Sequence, residues 1–216
     1  MWAVLAAAGR GERLGDERPK AFARLGDLPL LAEPLRRLDD SEWIDGIVVA
    51  APPDWEEPCI VLAEEIGAGK VSAVVTGGDT RAASVRAALA EVPDDAAVIV
   101  VHDAARPLVS DEMVERVLAP LSEGYDGAVP VLPVSDTVKR VRGSEVAETL
   151  ERDGLVVAQT PQAFLATSLR RAAAGEGSDC ASLVEAQGGR IKAVEGDPRL
   201  LKVTSPEDLE LVASWL

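Results

Sequence analysis

Five basic residues crowd the stretch from Arg10 to Arg24 (Arg10, Arg13, Arg18, Lys20, Arg24) against three acids (Glu12, Asp16, Glu17), in a chain where acids outnumber bases 37 to 22. They follow an apolar run, Trp2 to Ala7, and two glycines, Gly9 and Gly11. Glycine permits positive φ and close backbone approach, so such a loop can aim several N–H groups at phosphate oxygens, with Arg13 and Lys20 adding full charges. A structural tight turn beside a solvated, ion-paired surface accounts for the same residues. Two commoner glycine loops do not fit. A dinucleotide fingerprint needs Gly or Ala at the sixth position, where Leu14 stands. A Walker loop needs Gly where Glu64 precedes Gly69-Lys70, and Ser or Thr where Val71 follows.

Three further clusters carry polar chemistry. Gly77-Gly-Asp-Thr-Arg-Ala-Ala-Ser-Val85 reads as a glycine turn opening a helix. Asp79 there is either an N-cap or part of a site in which Gly78 and Ser84 offer hydrogen bonds to a base or ribose. In His102-Asp-Ala-Ala-Arg-Pro107 a carboxylate arrives at the end of an apolar run. Buried and unpaired it would be costly, so Asp103 either pairs with Arg106 or holds a cation such as Mg2+, and the metal is the preferred reading. His102 is the only histidine; it excludes histidine-rich metal sites and reads as a structural hydrogen-bonding residue rather than a base. The last cluster comprises Thr137, Lys139, Arg140 and Arg152, together with Lys202, enclosed by apolar neighbours and placed to reach an anion from a strand end.

The elements that must position these residues alternate along the chain. Apolar runs at Trp2 to Ala7, Gly46 to Ala51, Val71 to Val75, Ala97 to Val101, Gly127 to Leu132, Leu155 to Ala158 and Arg190 to Val194 read as strands buried on both faces. Helix-length segments lie between them, at about Leu28 to Asp39, Asp54 to Ile66, Thr80 to Glu91, Asp111 to Ser122, Pro161 to Ala173 and Cys180 to Gln187, with a terminal helix over Ser205 to Trp215. Ser205-Pro206, Ser110-Asp111-Glu112 and Thr160-Pro161 supply helix-start chemistry, and Pro34 predicts a kink or a late start for the first helix. Such alternation implies an α/β sandwich with a mainly parallel sheet, whose ligands sit beyond the carboxyl ends of the strands. The polar stretch from Val134 to Arg152, with Gly143-Ser144 at its middle, reads either as a hairpin projecting toward a second subunit or as a surface loop.

A chain of 216 residues that is 47% hydrophobic can bury one sizeable core. The formal charge of -15 argues against broad nucleic-acid binding. Cys59 and Cys180 lack metal-ligand spacing, and neither a signal peptide nor a run of about 18 apolar residues is found, so the expectation is a cytoplasmic protein with free thiols and no membrane partner.

In order, Ala6-Ala-Ala-Gly-Arg-Gly-Glu-Arg13 with Pro19-Lys20, Gly77 to Val85, His102 to Pro107, Asp136-Thr-Val-Lys139, Gln159-Thr-Pro-Gln162 and Lys202 to Leu209 closely resemble the 2-C-methyl-D-erythritol 4-phosphate cytidylyltransferases over nearly the whole chain. The resemblance implies a single nucleotidyltransferase domain over 1–216, a three-layer Rossmann-like sandwich with a mainly parallel sheet and a protruding β-hairpin arm at 134–154 that makes a homodimer. It implies transfer of CMP from CTP to a methylerythritol phosphate with Mg2+ as cofactor. Ala7, Ala8, Gly9, Gly11, Gly78, Asp79, Ser84 and Ala104 would then hold the nucleotide. Arg13 and Lys20 would stabilise the transition state, and Asp103 would serve the metal. Arg152 and Lys202 would position the acceptor for catalysis, with Thr137, Asp103 and Arg106 also binding it. The alternatives are a cytidylyltransferase acting on ribitol 5-phosphate and a non-catalytic CTP-binding module. Departures from the pattern are Ala21 in place of a frequent Gln, Leu200 in place of a frequent Asn and Cys180 in place of an acid.

Overall fold

The computed structural model describes residues 1–9, 11, 18–175, 177 and 179–216. In chain order the elements are β1 (Trp2–Ala6), β2 (Arg24–Leu25), β3 (Leu28–Pro29), α1 (Ala32–Asp40), β4 (Gly46–Ala51), α2 (Glu56–Glu65), β5 (Val71–Thr76), α3 (Arg81–Leu89), β6 (Val98–Asp103), α4 (Asp111–Ser122) and β7 (Gly127–Pro133). They continue as β8 (Lys139–Arg142), β9 (Glu145–Thr149), β10 (Val156–Ala158), β11 (Gln162–Leu165), α5 (Ala166–Ala172), α6 (Cys180–Ala186), β12 (Ile191–Glu195) and α7 (Pro206–Ala213).

The main sheet runs β10-β7-β11-β6-β1-β4-β5, with β12 on the other side of β7. β1 lies parallel to both β4 and β6, β4 to β5 and β7 to β12, whereas β10 and β11 are antiparallel to their neighbours. After β1 the chain builds outward through β4 and β5, then returns to the opposite side of β1 with β6. This reversal opens a crevice at the carboxyl ends of β1 and β6, the place where such sheets bind ligands.

Strand periodicity distributes the core. Ala3, Leu5, Ile47, Val49 and Val100 face one layer, made by α1, α2 and α4 through residues such as Leu35, Leu62 and Val117. Val4, Val48, Ala50, Ile99 and Val101 face the other, made by α3, α5 and α6 through Val85, Leu169 and Val184. Helices on both faces explain why the central strands read as continuous apolar runs rather than alternating ones; β10, expected to be buried on both faces, is instead an exposed strand at the edge of the sheet, paired only with β7. A smaller cluster of Leu25, Leu30, Leu108, Val203 and Val212 seats α7 beside the β2-β3 hairpin. Ser205 and Asp208 cap α7 reciprocally, with Pro206 at its first position.

Two helix expectations need correction. The first helix begins at Ala32, and Leu28–Pro29 is instead a short strand paired with β2; Pro34 thereby falls in the first helical turn, where its missing N–H has no intrahelical partner to lose. The segment after Thr160-Pro161 is not helical at first: Gln162–Leu165 forms β11, and the helix starts at Ala166. Ala163 and Phe164 are fully buried between β6 and β7, so a demand for sheet closure overrides the helix-start signal. Gly127 opposite Phe164 makes room for the ring, since a Cβ there would lie 2.4 Å from Phe164 Cδ1.

The stretch 134–154 contains a two-stranded antiparallel unit, β8 with β9, separate from the main sheet and exposed along both strands. Gly143, with φ 62°, occupies the first position of its two-residue turn. Among the described residues no helix is long and apolar enough to cross a membrane.

Candidate active site

The carboxyl ends of β1 and β6 are brought level by their register, Ala6 beside Asp103, and those of β4 and β5 by the pairing of Ala51 with Thr76. The loops that leave them line one cavity of about 260 Å³. Ala7, Ala8 and Gly9 follow β1, Gly78 and Asp79 come from the turn after β5, Ser84 from the first turn of α3, and Asp103 and Ala104 from the end of β6, with Lys20 and Lys202 closing the wall. Glycine is required where these loops crowd: a Cβ on Gly77 would lie 2.2 Å from Ala8 Cβ. Gly11, with φ 70°, lies so close to Lys20 that an added Cβ would be 2.5 Å from the Lys20 Cβ. Arg10 and Arg13 lie outside the described residues.

The turn after β5 differs from its sequence reading in one detail. Thr80, not Asp79, caps α3, accepting a hydrogen bond from Ala83 N–H at 3.1 Å. Ser84 Oγ accepts from Gly78 N–H at 3.1 Å and donates within the same turn, toward the carbonyls of Thr80 (3.0 Å) and Gly78 (3.2 Å). Its hydroxyl therefore closes the cavity wall, and the backbone of Gly78 is held by it.

Asp103 is the electrostatic centre. Arg81 Nε donates to its Oδ1 at 2.7 Å and Lys202 Nζ to its Oδ2 at 2.6 Å. Burial alone would push this carboxyl up, but the Arg81 guanidinium and the Lys202 ammonium together outweigh it and hold Asp103 far below the ordinary carboxylate range. The partner weighed from sequence, Arg106, is not the one used. Its Nη1 donates to Leu200 carbonyl at 2.5 Å and its Nη2 to Ala158 carbonyl at 3.4 Å, so it ties backbone segments together below the cavity. Lys202 comes not from a strand end but from an irregular segment after β12, held alongside by Val203 N–H donating to Ala105 carbonyl at 2.8 Å.

His102 is fully buried and engaged at both ring nitrogens, by Arg106 carbonyl at 2.8 Å and Thr160 Oγ1 at 3.1 Å. The carbonyl can only accept, so Nε2 carries the proton and Nδ1 accepts from the Thr160 hydroxyl. Thr160 Oγ1 in turn accepts from Asp103 N–H at 3.0 Å. Burial lowers the His102 pKa to about 4, so the ring stays neutral. It is a brace for Asp103, as its sequence reading held, and not a base.

Arg81 and Thr160 were not singled out as site residues. Thr160 gave no signal beyond its misread helix start. Arg81 gave one: a cation on the first residue of a helix opposes the helix dipole, which is tolerable when an anion faces it. Like Arg106, the predicted residues Thr137 and Arg152 do not line the cavity: both are exposed, and Arg152 Nη1 donates to the carbonyl of Ser135 at the base of the arm.

The sequence matches the family described as 2-C-methyl-D-erythritol 4-phosphate cytidylyltransferase over residues 1–216. A protein of that name from Frankia casuarinae is 44% identical over 99% of this chain and 80% of its own length, and one from Rhodococcus jostii is 44% identical over 97% and 92%. The crystal structure of the enzyme of that name from Thermus thermophilus superposes with a TM-score of 0.80 at 36% identity, covering 98% of this chain and 96% of that one. A solved 4-diphosphocytidyl-2C-methyl-D-erythritol synthase gives a TM-score of 0.84 at 32% identity over 99% and 96%. With a mainly parallel sheet of this order, a cavity at its switch point, a family match over residues 1–216 and relatives matched over 80% or more of their own length, the chain belongs to the 2-C-methyl-D-erythritol 4-phosphate cytidylyltransferase family.

Proposed function

We infer that this protein transfers CMP from CTP to 2-C-methyl-D-erythritol 4-phosphate, releasing pyrophosphate, in the non-mevalonate route to isoprenoids. The observation that supports this reading most directly is the convergence of the β1 loop, the β5 turn, Lys20, Asp103 and Lys202 on one cavity at the switch point of the sheet. An oxygen of the acceptor phosphate attacks the α-phosphorus of CTP, and the bond from that phosphorus to the bridging oxygen breaks, its electron pair leaving with pyrophosphate. A phosphate monoester has its second pKa near ~6, so the nucleophile is already largely a dianion at neutral pH. No general base is needed, which agrees with a site whose histidine is buried and doubly bonded.

The work left to the protein is placement and charge stabilisation. Ala7, Ala8, Gly9, Gly11, Gly78, Asp79, Ser84 and Ala104 shape the nucleotide pocket. Lys20, with Arg13, stabilises charge on the triphosphate as pyrophosphate departs. Lys202 and Asp103 face the acceptor, whose phosphate is completed by Arg152 and Thr137; Arg106, expected there from the sequence, is instead taken up by the carbonyls of Leu200 and Ala158. Arg152 and Thr137 stand on the arm base rather than on the cavity wall, which supports a homodimer in which the arm of one subunit serves the cavity of the other. Exposed Val141, Val146, Val156 and Val157 give the arm and the adjoining β10 an apolar surface suited to such burial.

The donor set suits a divalent cation carried in with the triphosphate. Among the described residues no cluster of three or more His, Cys, Asp or Glu forms a cage, and Mg2+ is commonly held by one or two carboxylates plus phosphates. Asp103 is the carboxylate that would contribute. When bound, the ion supplies neutralisation of charge on the phosphate oxygens.

Pyrophosphate release from CTP and Mg2+ with a panel of polyol phosphates tests the reading. Release with methylerythritol phosphate and not with ribitol 5-phosphate is expected. Preference for ribitol 5-phosphate would reassign the acceptor, and CTP binding with no release under any acceptor would leave a nucleotide-binding module.

A further inference from the structure

Arg81 opens α3, and its guanidinium reaches across the crevice to two other elements. Nε donates to Asp103 Oδ1 at the end of β6, at 2.7 Å, and Nη1 donates to the Cys180 thiol at the start of α6, at 3.4 Å. Sulfur is a weak acceptor, and Nη2 is buried without a hydrogen-bond partner among the described residues. Among the described residues the Asp103 carboxylate is thus the one strong acceptor for this guanidinium, and the side chains of Arg81 and Asp103 are 23% and 9% exposed.

The other side of the same carboxylate defines Lys202. Its side chain is 42% exposed, and its ammonium is anchored by Asp103 Oδ2 at 2.6 Å. An aspartate carboxyl turns readily about its last torsion, where the energy wells are broad. A clamp on one oxygen fixes the direction of the second, and the long lysine then takes its place from that oxygen. Thr160 holds the backbone of Asp103 but leaves this torsion to Arg81.

We propose that Arg81 is a positioning residue which locks the Asp103 carboxylate in the orientation that holds the Lys202 ammonium at the cavity. It acts through Asp103 and touches no reacting atom. The catalytic consequence rests on the cytidylyl-transfer reading, in which Lys202 faces the acceptor; the side-chain coupling does not.

The test is a double-mutant cycle with Arg81→Met and Asp103→Asn, read two ways on the full-length protein. In the pyrophosphate assay Arg81→Met should lower kcat by ~10- to 100-fold, as misplacement of a reacting group does, with KM for CTP within about threefold. In the Asp103→Asn background it should cost less than about twofold further, because the two changes remove one interaction. Arg81→Lys, which keeps the charge, should recover part of the loss. Independently of activity, the rate of reductive methylation at Lys202, followed by mass spectrometry, should rise several-fold in Arg81→Met and no further in the double variant. Thermal melting and calorimetric CTP binding verify folding, and Arg81→Gln replaces Arg81→Met in the cycle if the latter does not fold. Equal costs in both backgrounds, or an unchanged Lys202 methylation rate, overturn the proposal. A wild-type protein that releases no pyrophosphate overturns the reaction reading instead, and the methylation cycle still decides the role of Arg81.

Discussion

The cavity and the arm hold charges of the same kinds in opposite settings. At the cavity Asp103 lies between Arg81 and Lys202 and is almost wholly buried, so each contact is strong and the removal of one partner strands the others. On the arm Arg140 Nε meets Glu148 at 2.5 Å and Lys139 meets Thr149 at 2.6 Å, yet every residue of β8 and β9 is exposed. Water competes for these contacts, and the rest of the chain supplies no low-dielectric surroundings to strengthen them. Similar distances therefore carry different energies. The cavity is pre-organised by its own fold, whereas the arm acquires an equivalent environment only when another surface covers it.

Four measurements break or sharpen this contrast. The largest effect is expected for Lys20→Ala, which should lower turnover by ~100- to 1000-fold, as loss of a donor to developing charge does, while CTP affinity changes far less. An equal loss in both would remove Lys20 from the transition state. Next is the pH dependence of folding. The unfolded chain protonates His102 near 6.5, but the folded one resists until about 4. Between these values the unfolded state binds the extra proton, so stability rises with pH: the contribution is full above 6.5 and lost toward 4. It amounts to up to about 3 kcal/mol. Urea titrations of wild type and His102→Gln across this window should show a flatter acid limb in the variant, and parallel limbs would refute the assignment.

Third, Arg152→Ala should raise KM for methylerythritol phosphate by ~10- to 100-fold, the worth of a charge-assisted hydrogen bond. If the arm serves the neighbouring subunit, mixing Lys20→Ala with Arg152→Ala protein should restore about a quarter of wild-type activity, because half of the sites in mixed dimers are intact. No recovery after subunit exchange would confine Arg152 to its own protomer. The smallest effect belongs to Arg140→Ala, which should change stability by less than ~0.5 kcal/mol in denaturant titration. A larger loss would mean that the arm pair is already shielded.

Legibility in the sequence followed the same division. The strands β1, β4, β6 and the first half of β7 are apolar runs buried on both faces, which leaves little freedom in reading them. Phe164 and its neighbours misled because only the slot between β6 and β7, set by distant parts of the chain, makes them a strand. The positions of Gly9, Lys20, Gly78, Asp103 and Lys202 could be anticipated as carboxyl-end loops of a parallel sheet. The partner of Asp103 could not: Arg106 is three residues away and Arg81 twenty-two, and only the pairing of β1 with β6 beside the β5 turn decides between them. Thr160 was invisible for the same reason, since its task is to bond a backbone group on another strand.

Arg81 anchors the first residue of α3, and Arg170 on α5 grips its far end, donating from Nη1 to Leu89 carbonyl at 3.2 Å and from Nη2 to the carbonyls of Val92 at 2.8 Å and Pro93 at 3.0 Å. A helix fastened at both ends cannot slide along its axis or tilt without breaking buried contacts. Any change of shape that accompanies ligand entry must be carried by other segments, and amide exchange along Val85–Leu89 should be the same with and without CTP. On the cytidylyl-transfer reading, the nucleotide would meet this helix as a fixed gauge, one that selects by fit instead of yielding to what enters.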